Sequence, residues 1–347
     1  MSTETPIRYT DDLEVVGPDE DAIIAETVTR MAHLMQESFE QHRHATSATH
    51  AKTHGVVTGR LQVLEDLPPE LAQGLFAEPG AYDVVVRFAS EPGTLEPDTV
   101  PRARGVALKV LSVSGEMLRA GWTSQDLLFN SWPVIPQGDA ASFLNLIRTR
   151  DTGPGAMAGP PPRPLTDDDV LFDRTPNVHP LGVSHYSQGA FRYGEHVAKF
   201  ALAPVGAAQI ALAEREVPDG AAPGVLKDWV AEHFATRGAS YELRVQLCTD
   251  LQRMPVEDAA VDWPQELSPY RAVARLELPP QDSFVAARRV FAEDVLSWRP
   301  WYGLAAHRPL GSINRLRQRG YEDLGARRHE MNAVAEQDPT MLADMPT

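Results

Sequence analysis

Residues 241–250, YELRVQLCTD, set apolar Tyr241, Leu243, Val245 and Leu247 against polar neighbours, the two-residue period of a strand with one wet face. Five more short segments read as strands between Gly, Pro and Asp signals: VVTGRLQVL (56–64), YDVVVRFAS (82–90), RGVALKVLS (104–112), HVAKFALAPV (196–205) and YRAVARLEL (270–278). Parallel neighbours would need a crossover, usually a helix, between successive strands, and no regular helices separate these. The pattern therefore predicts an antiparallel barrel or sandwich rather than a doubly wound sheet.

Helical periodicity is confined to a few stretches. Residues 19–42 space Ile23, Ile24, Val28, Met31, Leu34, Met35 and Phe39 along one face, with acids in the first turn. In residues 223–238, PGVLKDWVAEHFATRG, Val225, Trp229, Val230, His233 and Phe234 fall on one side. GPGAMAGPPPRP, residues 153–164, predicts a surface loop, and the polar tail after about residue 333 is expected to be loosely held. No internal repeat appears. The expected organisation is one domain over residues 1–347, with an N-terminal arm and helix to about residue 45.

The formal charge of −16 argues against general binding to nucleic acid or anionic membranes, because such a surface repels phosphate. No apolar run is long enough to insert in a bilayer, and the start lacks the pattern of a secretory signal, so the expected location is the cytoplasm. A single cysteine, Cys248, excludes an intrachain disulfide, and its place in an alternating strand marks it as a small buried hydrophobe.

The segment HRPLGSINRLRQRGYEDLGARRHEMN, residues 307–332, poses a sharper problem. A helix over about 312–332, capped by Ser312, puts Arg317, Tyr321, Leu324 and Arg328 in one stripe beside Ile313, Leu316 and Gly320. The stripe is apolar enough to face inward, yet it carries two guanidinium groups and no acid, so the missing anion is a candidate ligand. A cation one turn before a tyrosine favours phenolate, a hard ligand suited to ferric iron, and Gly320 would let a flat macrocycle approach. Alone, such a short match is more often a half-buried aromatic among solvated arginines. SATHAKTHG, residues 47–55, is equally open by itself: His50 could be a catalytic base, a metal ligand with His54, or a polar loop residue. A zinc site would need a third ligand and a glutamate in helical register, which are absent, so His54 is expected to be a polar loop residue. His42 and His44 are expected at a solvated helix end.

In order along the chain, these segments resemble the haem catalases, and more closely the shorter catalase-like haem proteins. THAKTHG (49–55) is similar to the family's V-H-A-K-G, with His50 at the distal histidine. VVVRFAS resembles V-R-F-S, with Arg87 at a propionate-binding arginine, and RARGVALKV resembles D-P-R-G-F-A-V-K. DLLFNSWPV resembles D-L-V-G-N-N-T-P, with Asn130 at the distal asparagine. RQRGY fits R-x-x-x-Y, making Arg317 and Tyr321 the proximal pair, and Arg328 stands where a second propionate arginine is expected.

The resemblance implies an α+β fold built on an antiparallel eight-stranded β-barrel with surrounding helices. It also implies haem b (iron protoporphyrin IX) with Tyr321 as iron ligand, and peroxidase or catalase-like reduction of hydrogen peroxide aided by His50 and Asn130. A second peroxide or a small organic donor would complete the cycle, and a homo-oligomer is compatible with it.

The chain departs from the family pattern at five places. Thr49 replaces a valine, as in allene oxide synthase domains, which act on fatty-acid hydroperoxides, and Ala89 replaces a serine that supports the distal histidine. Ser47 replaces another propionate-binding arginine. Arg102 replaces an acid of the main channel, where it could admit an anionic organic substrate. An enzyme that rearranges an organic hydroperoxide is thus the alternative, and a non-enzymatic haem carrier a weaker one, since haem binding alone needs neither His50 nor Asn130. Trp132, in place of a threonine, is either a wall of the distal pocket or core packing.

Overall fold

In the computed structural model, which describes residues 5–153, 156–159 and 175–347, eight strands close into an antiparallel barrel. They are β1 (Lys52–Val63), β2 (Ala81–Ser90), β3 (Arg104–Val110), β4 (Gln125–Asn130), β5 (His185–Tyr186), β7 (His196–Pro204), β8 (Ala239–Leu247) and β9 (Arg271–Leu278). The remaining strands, β6 (Ala190–Tyr193) and β10 (Pro309–Leu310), branch from β7. Pairing of β7 with β8 and of β9 with β1 completes the ring, so the barrel itself leaves no open edge.

Alternation sorts the side chains between two environments. Val84, Val86 and Phe88 of β2 and Val106, Leu108 and Val110 of β3 fill the interior with Phe200, Leu243 and Leu276. Their neighbours Val85 and Ala107 point outward and pack under Ala292, Leu296 and Trp298. Both faces of β2 and β3 are thus buried, which is why these strands read as nearly continuous apolar runs.

The outer layer comprises α1 (Glu20–His42), α2 (Ala140–Arg150), α3 (Val225–Thr236) and α4 (Ser312–Met331), with shorter turns. Helices α1 and α4 meet through Ile24, Val28 and Met35 against Leu316 and Leu324. Arg315 fastens the start of α4 through ion pairs with Glu14, Glu20 and Glu257 at 2.5–2.7 Å. Several carboxylates around one partly buried guanidinium fix the rotation of this helix, and with it the direction in which Arg317 and Tyr321 point.

Three expectations are corrected. Ser312 is the first helical residue rather than the cap; Gly311 takes the cap position, and the Ser312 hydroxyl accepts the Ala140 N–H at 3.1 Å. His54 is not a loop residue: β1 begins at Lys52, and a bulge between Thr53 and Gly55 buries the His54 ring, whose Nε2 lies 2.7 Å from Ser90 Oγ. The tail is pinned, not loose, by Glu336 on Arg299 at 2.8 Å, Asp338 near Lys109 at 3.4 Å, and buried Met345. His42 and His44 are both exposed at the end of α1, as expected, and His44 Nε2 lies 2.9 Å from Asp294 Oδ1. Most of the expected 153–164 loop, residues 154–155 and 160–164, lies outside the described residues. Cys248 is fully buried, and burial pushes its thiol up to about 12. No helix among the described residues is long and apolar enough to cross a membrane.

Candidate functional site

Between the outer face of the barrel and α4 lies a cavity of about 1120 Å³, counting the part open to solvent. His50, Arg87, Asn130, Arg317, Tyr321 and Arg328, far apart in sequence, all line it. Outward positions of β2, β3 and β4 supply one wall: Arg87 and Ala89, Gly105 and Ala107, Leu128 and Asn130. The opposing wall is the stripe of α4 that carries Leu316, Arg317, Gly320, Tyr321, Leu324 and Arg328. The same strand alternation that builds the core thus equips the outer face.

His50 sits on the chain entering β1 with a backbone φ of 51°, in the left-handed region that histidine visits uncommonly. The Arg87 guanidinium holds this turn, donating to the His50 carbonyl at 2.8 Å and to Thr53 Oγ1 at 2.9 Å. Gly105 makes room for the ring, because a Cβ there would stand 2.2 Å from His50 Cδ2 and 2.7 Å from Nε2. Burial, then the Arg87 and Arg317 cations, push the His50 pKa down to about 3, so its imidazole is neutral at pH 7.

Asn130 is oriented by its neighbour. The Trp132 N–H donates to Asn130 Oδ1 at 3.1 Å, which directs Nδ2 toward His50 Nε2 at 3.4 Å and Glu91 Oε1 at 3.3 Å. Nε2 therefore accepts, and the ring proton of neutral His50 belongs on Nδ1. Trp132 is half-buried and does not line the cavity; its indole N–H instead binds Thr175. Ala89 offers no hydroxyl to the ring, and Nδ1 has no hydrogen-bond partner among the described residues. Thr49 and Ser47 line the cavity, whereas Arg102 does not and is held by Glu96 at 2.8 Å.

Three of the four arginines on this cavity lack matching anions; the fourth, Arg299, is paired with Glu336 at 2.8 Å. Arg87 and Arg328 are buried and Arg317 half-buried, yet none has a carboxylate within ion-pair distance among the described residues. Arg317 donates to the Ser187 carbonyl, Asn314 and Gln188, and Arg328 to the Glu293 and Leu296 carbonyls. Burial lowers all three guanidinium pKa values, a cost that a bound dianion would remove. The Tyr321 hydroxyl has no hydrogen-bond partner among the described residues. A Cβ on Gly320 would meet nothing within 4 Å, so that glycine faces open cavity. An unpartnered phenol, three uncompensated guanidiniums and a broad cleft fit haem, with its iron and two propionates. No group of three or more His, Cys, Asp or Glu side chains that could hold a bare metal ion occurs among the described residues.

Sequence reasoning passed over Glu91, whose Oε1 lies 3.7 Å from His50 Nε2, and the apolar lining from Met31, Met35 and Phe143. Nothing local marks Glu91. For Phe143 there was a signal, since Asp139 caps α2 by accepting the Ser142 N–H at 2.7 Å.

No family model and no curated protein matches the chain. Among solved structures it is similar to a fungal catalase with TM-score 0.58 and 17% identity, over 99% of this chain and 70% of that one. Catalase A from Saccharomyces cerevisiae gives 0.57 and 17%, over 95% and 68%, and a bacterial catalase 0.53 and 17%, over 93% and 63%. At this level of identity the likeness speaks for the fold, and the fold of this chain, an eight-stranded antiparallel barrel with surrounding helices, is that of the catalases.

Proposed function

We propose that the chain is a haem-dependent, catalase-like peroxidase that reduces hydrogen peroxide. The observation that carries this reading is a cavity faced by the free phenol of Tyr321 on one wall and by His50 with Asn130 on the other, and lined by three arginines, Arg87, Arg317 and Arg328, with no carboxylate in ion-pair distance among the described residues. Tyr321 would hold the iron of haem b. Arg87 and Arg328 would take the propionates, and Arg317 would favour the phenolate form of Tyr321.

Haem, when bound, would supply the two electrons needed for cleavage of the O–O bond. His50 Nε2, neutral and unprotonated, accepts the proton of the near peroxide oxygen. An imidazolium whose pKa is only about 3 hands that proton on readily, so the far oxygen leaves as water rather than hydroxide. Asn130 Nδ2 donates a hydrogen bond to the peroxide without bringing a charge. The Trp132 N–H keeps that amide from flipping. Rearrangement of an organic hydroperoxide is the second reading. It is favoured by the Thr49 hydroxyl on the cavity wall and by the apolar lining from Met31, Met35 and Phe143. Loss of a lipid hydroperoxide without any donor would support it.

The absorption spectrum of haem-loaded protein tests the first reading. The expected result is a ferric high-spin spectrum of phenolate type that changes in Tyr321→Phe. No haem uptake, or an identical spectrum in the variant, would overturn it.

A further inference from the structure

A second cleft, of about 950 Å³ counting its open part, adjoins the first, and Ser47 and Arg87 line both. It lies at the end of the cavity where Arg87 would meet a propionate. At position 47, where the catalase pattern carries a long cation, a serine leaves the two spaces adjoining. Nothing in the proposed proton chemistry uses this cleft.

Its walls define what it suits. Leu95 and Val290 on the rim are 46% and 44% exposed, high for aliphatic side chains beside a cleft, and Phe284 adds an aromatic surface. The charged groups there are paired: Arg289 with Glu293 at 2.7 Å, His44 with Asp294 at 2.9 Å, and Lys52 with Asp98 at 2.6 Å. The exception is Arg87, which faces the haem cavity as well. With Arg87 engaged by a propionate, as proposed, the rest of this wall is compensated and partly apolar and offers no net attraction to an anion, and the −16 charge of the chain repels one at long range. An apolar body with one uncharged polar head fits such a wall.

We infer that this cleft binds the reducing co-substrate and that its class is a small neutral phenol. The inference rests on the haem peroxidase reading. The balance is two phenols and one hydrogen peroxide giving two phenoxyl radicals and two waters. Each phenol loses one electron and the proton of its O–H bond, and the peroxide takes up both electrons and both protons as its O–O bond breaks.

The test uses p-cresol as probe and three variants: Val290→Trp and Leu95→Trp, which fill the rim, and Ser47→Arg, which closes the passage. Saturation-transfer NMR on the purified protein should show p-cresol binding in the wild type and its loss in the rim variants. With haem bound, the rim variants should raise KM for p-cresol at least tenfold, while the absorption spectrum and oxygen evolution from peroxide stay as in the wild type. Ser47→Arg should suppress p-cresol oxidation. An unchanged KM in all three variants overturns the assignment, as does oxidation of the anionic dye ABTS in preference to p-cresol. Absence of haem uptake would instead defeat the peroxidase reading, and the NMR result would still decide whether the cleft takes a phenol.

Discussion

Gly105→Ala isolates the placement of His50 from every other feature of the site. The added methyl would stand 2.2 Å from His50 Cδ2, whereas carbon atoms in contact rest at about 3.5–4.0 Å, so the ring must retreat by about 1.3 Å or more. The imidazole is the mobile partner, because Gly105 lies in β3, hydrogen-bonded on both sides to β2 and β4. The His50–Asn130 separation is already 3.4 Å, and such a shift in an unfavourable direction ends that hydrogen bond. Misplacing a catalytic group by about 1 Å costs on the order of 100-fold in rate. Peroxide consumption by haem-loaded Gly105→Ala should therefore fall by about two orders of magnitude. Haem uptake and the absorption spectrum should persist, because Tyr321 lies on the opposite wall. The assay is peroxide loss at 240 nm with the thermal midpoint as control. A variant that keeps wild-type activity with an unshifted His50 would refute the reasoning; loss of haem together with activity would show that the cavity itself depends on that glycine.

Two further outcomes concern stability. His50, His54, His179, His185 and His307 are held neutral by burial, with His50, His179 and His185 pushed down to about 3, His307 to about 4, and His54 well below its ordinary value. The unfolded chain titrates near 6.5, so this contribution is complete above about pH 6.5 and is lost as pH falls toward 3; urea unfolding at pH 5 against pH 7 should show a loss of about 2 kcal/mol per histidine, and equal midpoints would refute it. Lys109, fully buried, meets Asp126 at 2.7 Å, so Lys109→Met should cost about 3–5 kcal/mol in chemical denaturation, largely recovered when Asp126→Leu is added. Failure of the second change to rescue the first would show that the pair is not what holds this region.

The strands that sequence reveals are those long enough for a two-residue period to register. β1, β2, β3, β7, β8 and β9 each run seven residues or more, whereas β5 and β10 have two residues and β6 four. β4 was not read as a strand, its segment DLLFNSWPV serving only to place Asn130, and α2 was missed despite the capping aspartate before it. His54 was misplaced because β1 starts four residues before its apolar alternation does, and the bulge at Thr53 and Gly55 hides its register. The tail was misjudged for a different reason: polar composition implies a loose segment only when its charges find solvent, and Glu336 and Asp338 find Arg299 and Lys109 instead.

For the site, a chemical mismatch was legible before any geometry: an inward stripe on α4 with two guanidiniums and no acid. The structure enlarges the mismatch, since Arg87 arrives from β2 equally unpaired. What sequence could not supply is the geometry across the cavity, above all the Glu91 carboxylate beside His50 and the Trp132 amide that orients Asn130. Gly105 lies between these cases. A glycine inside a strand signals close approach of another group, but only the fold shows that the group is the imidazole of His50. The most restrictive steric requirement of the candidate site thus falls on a residue that carries no chemistry of its own.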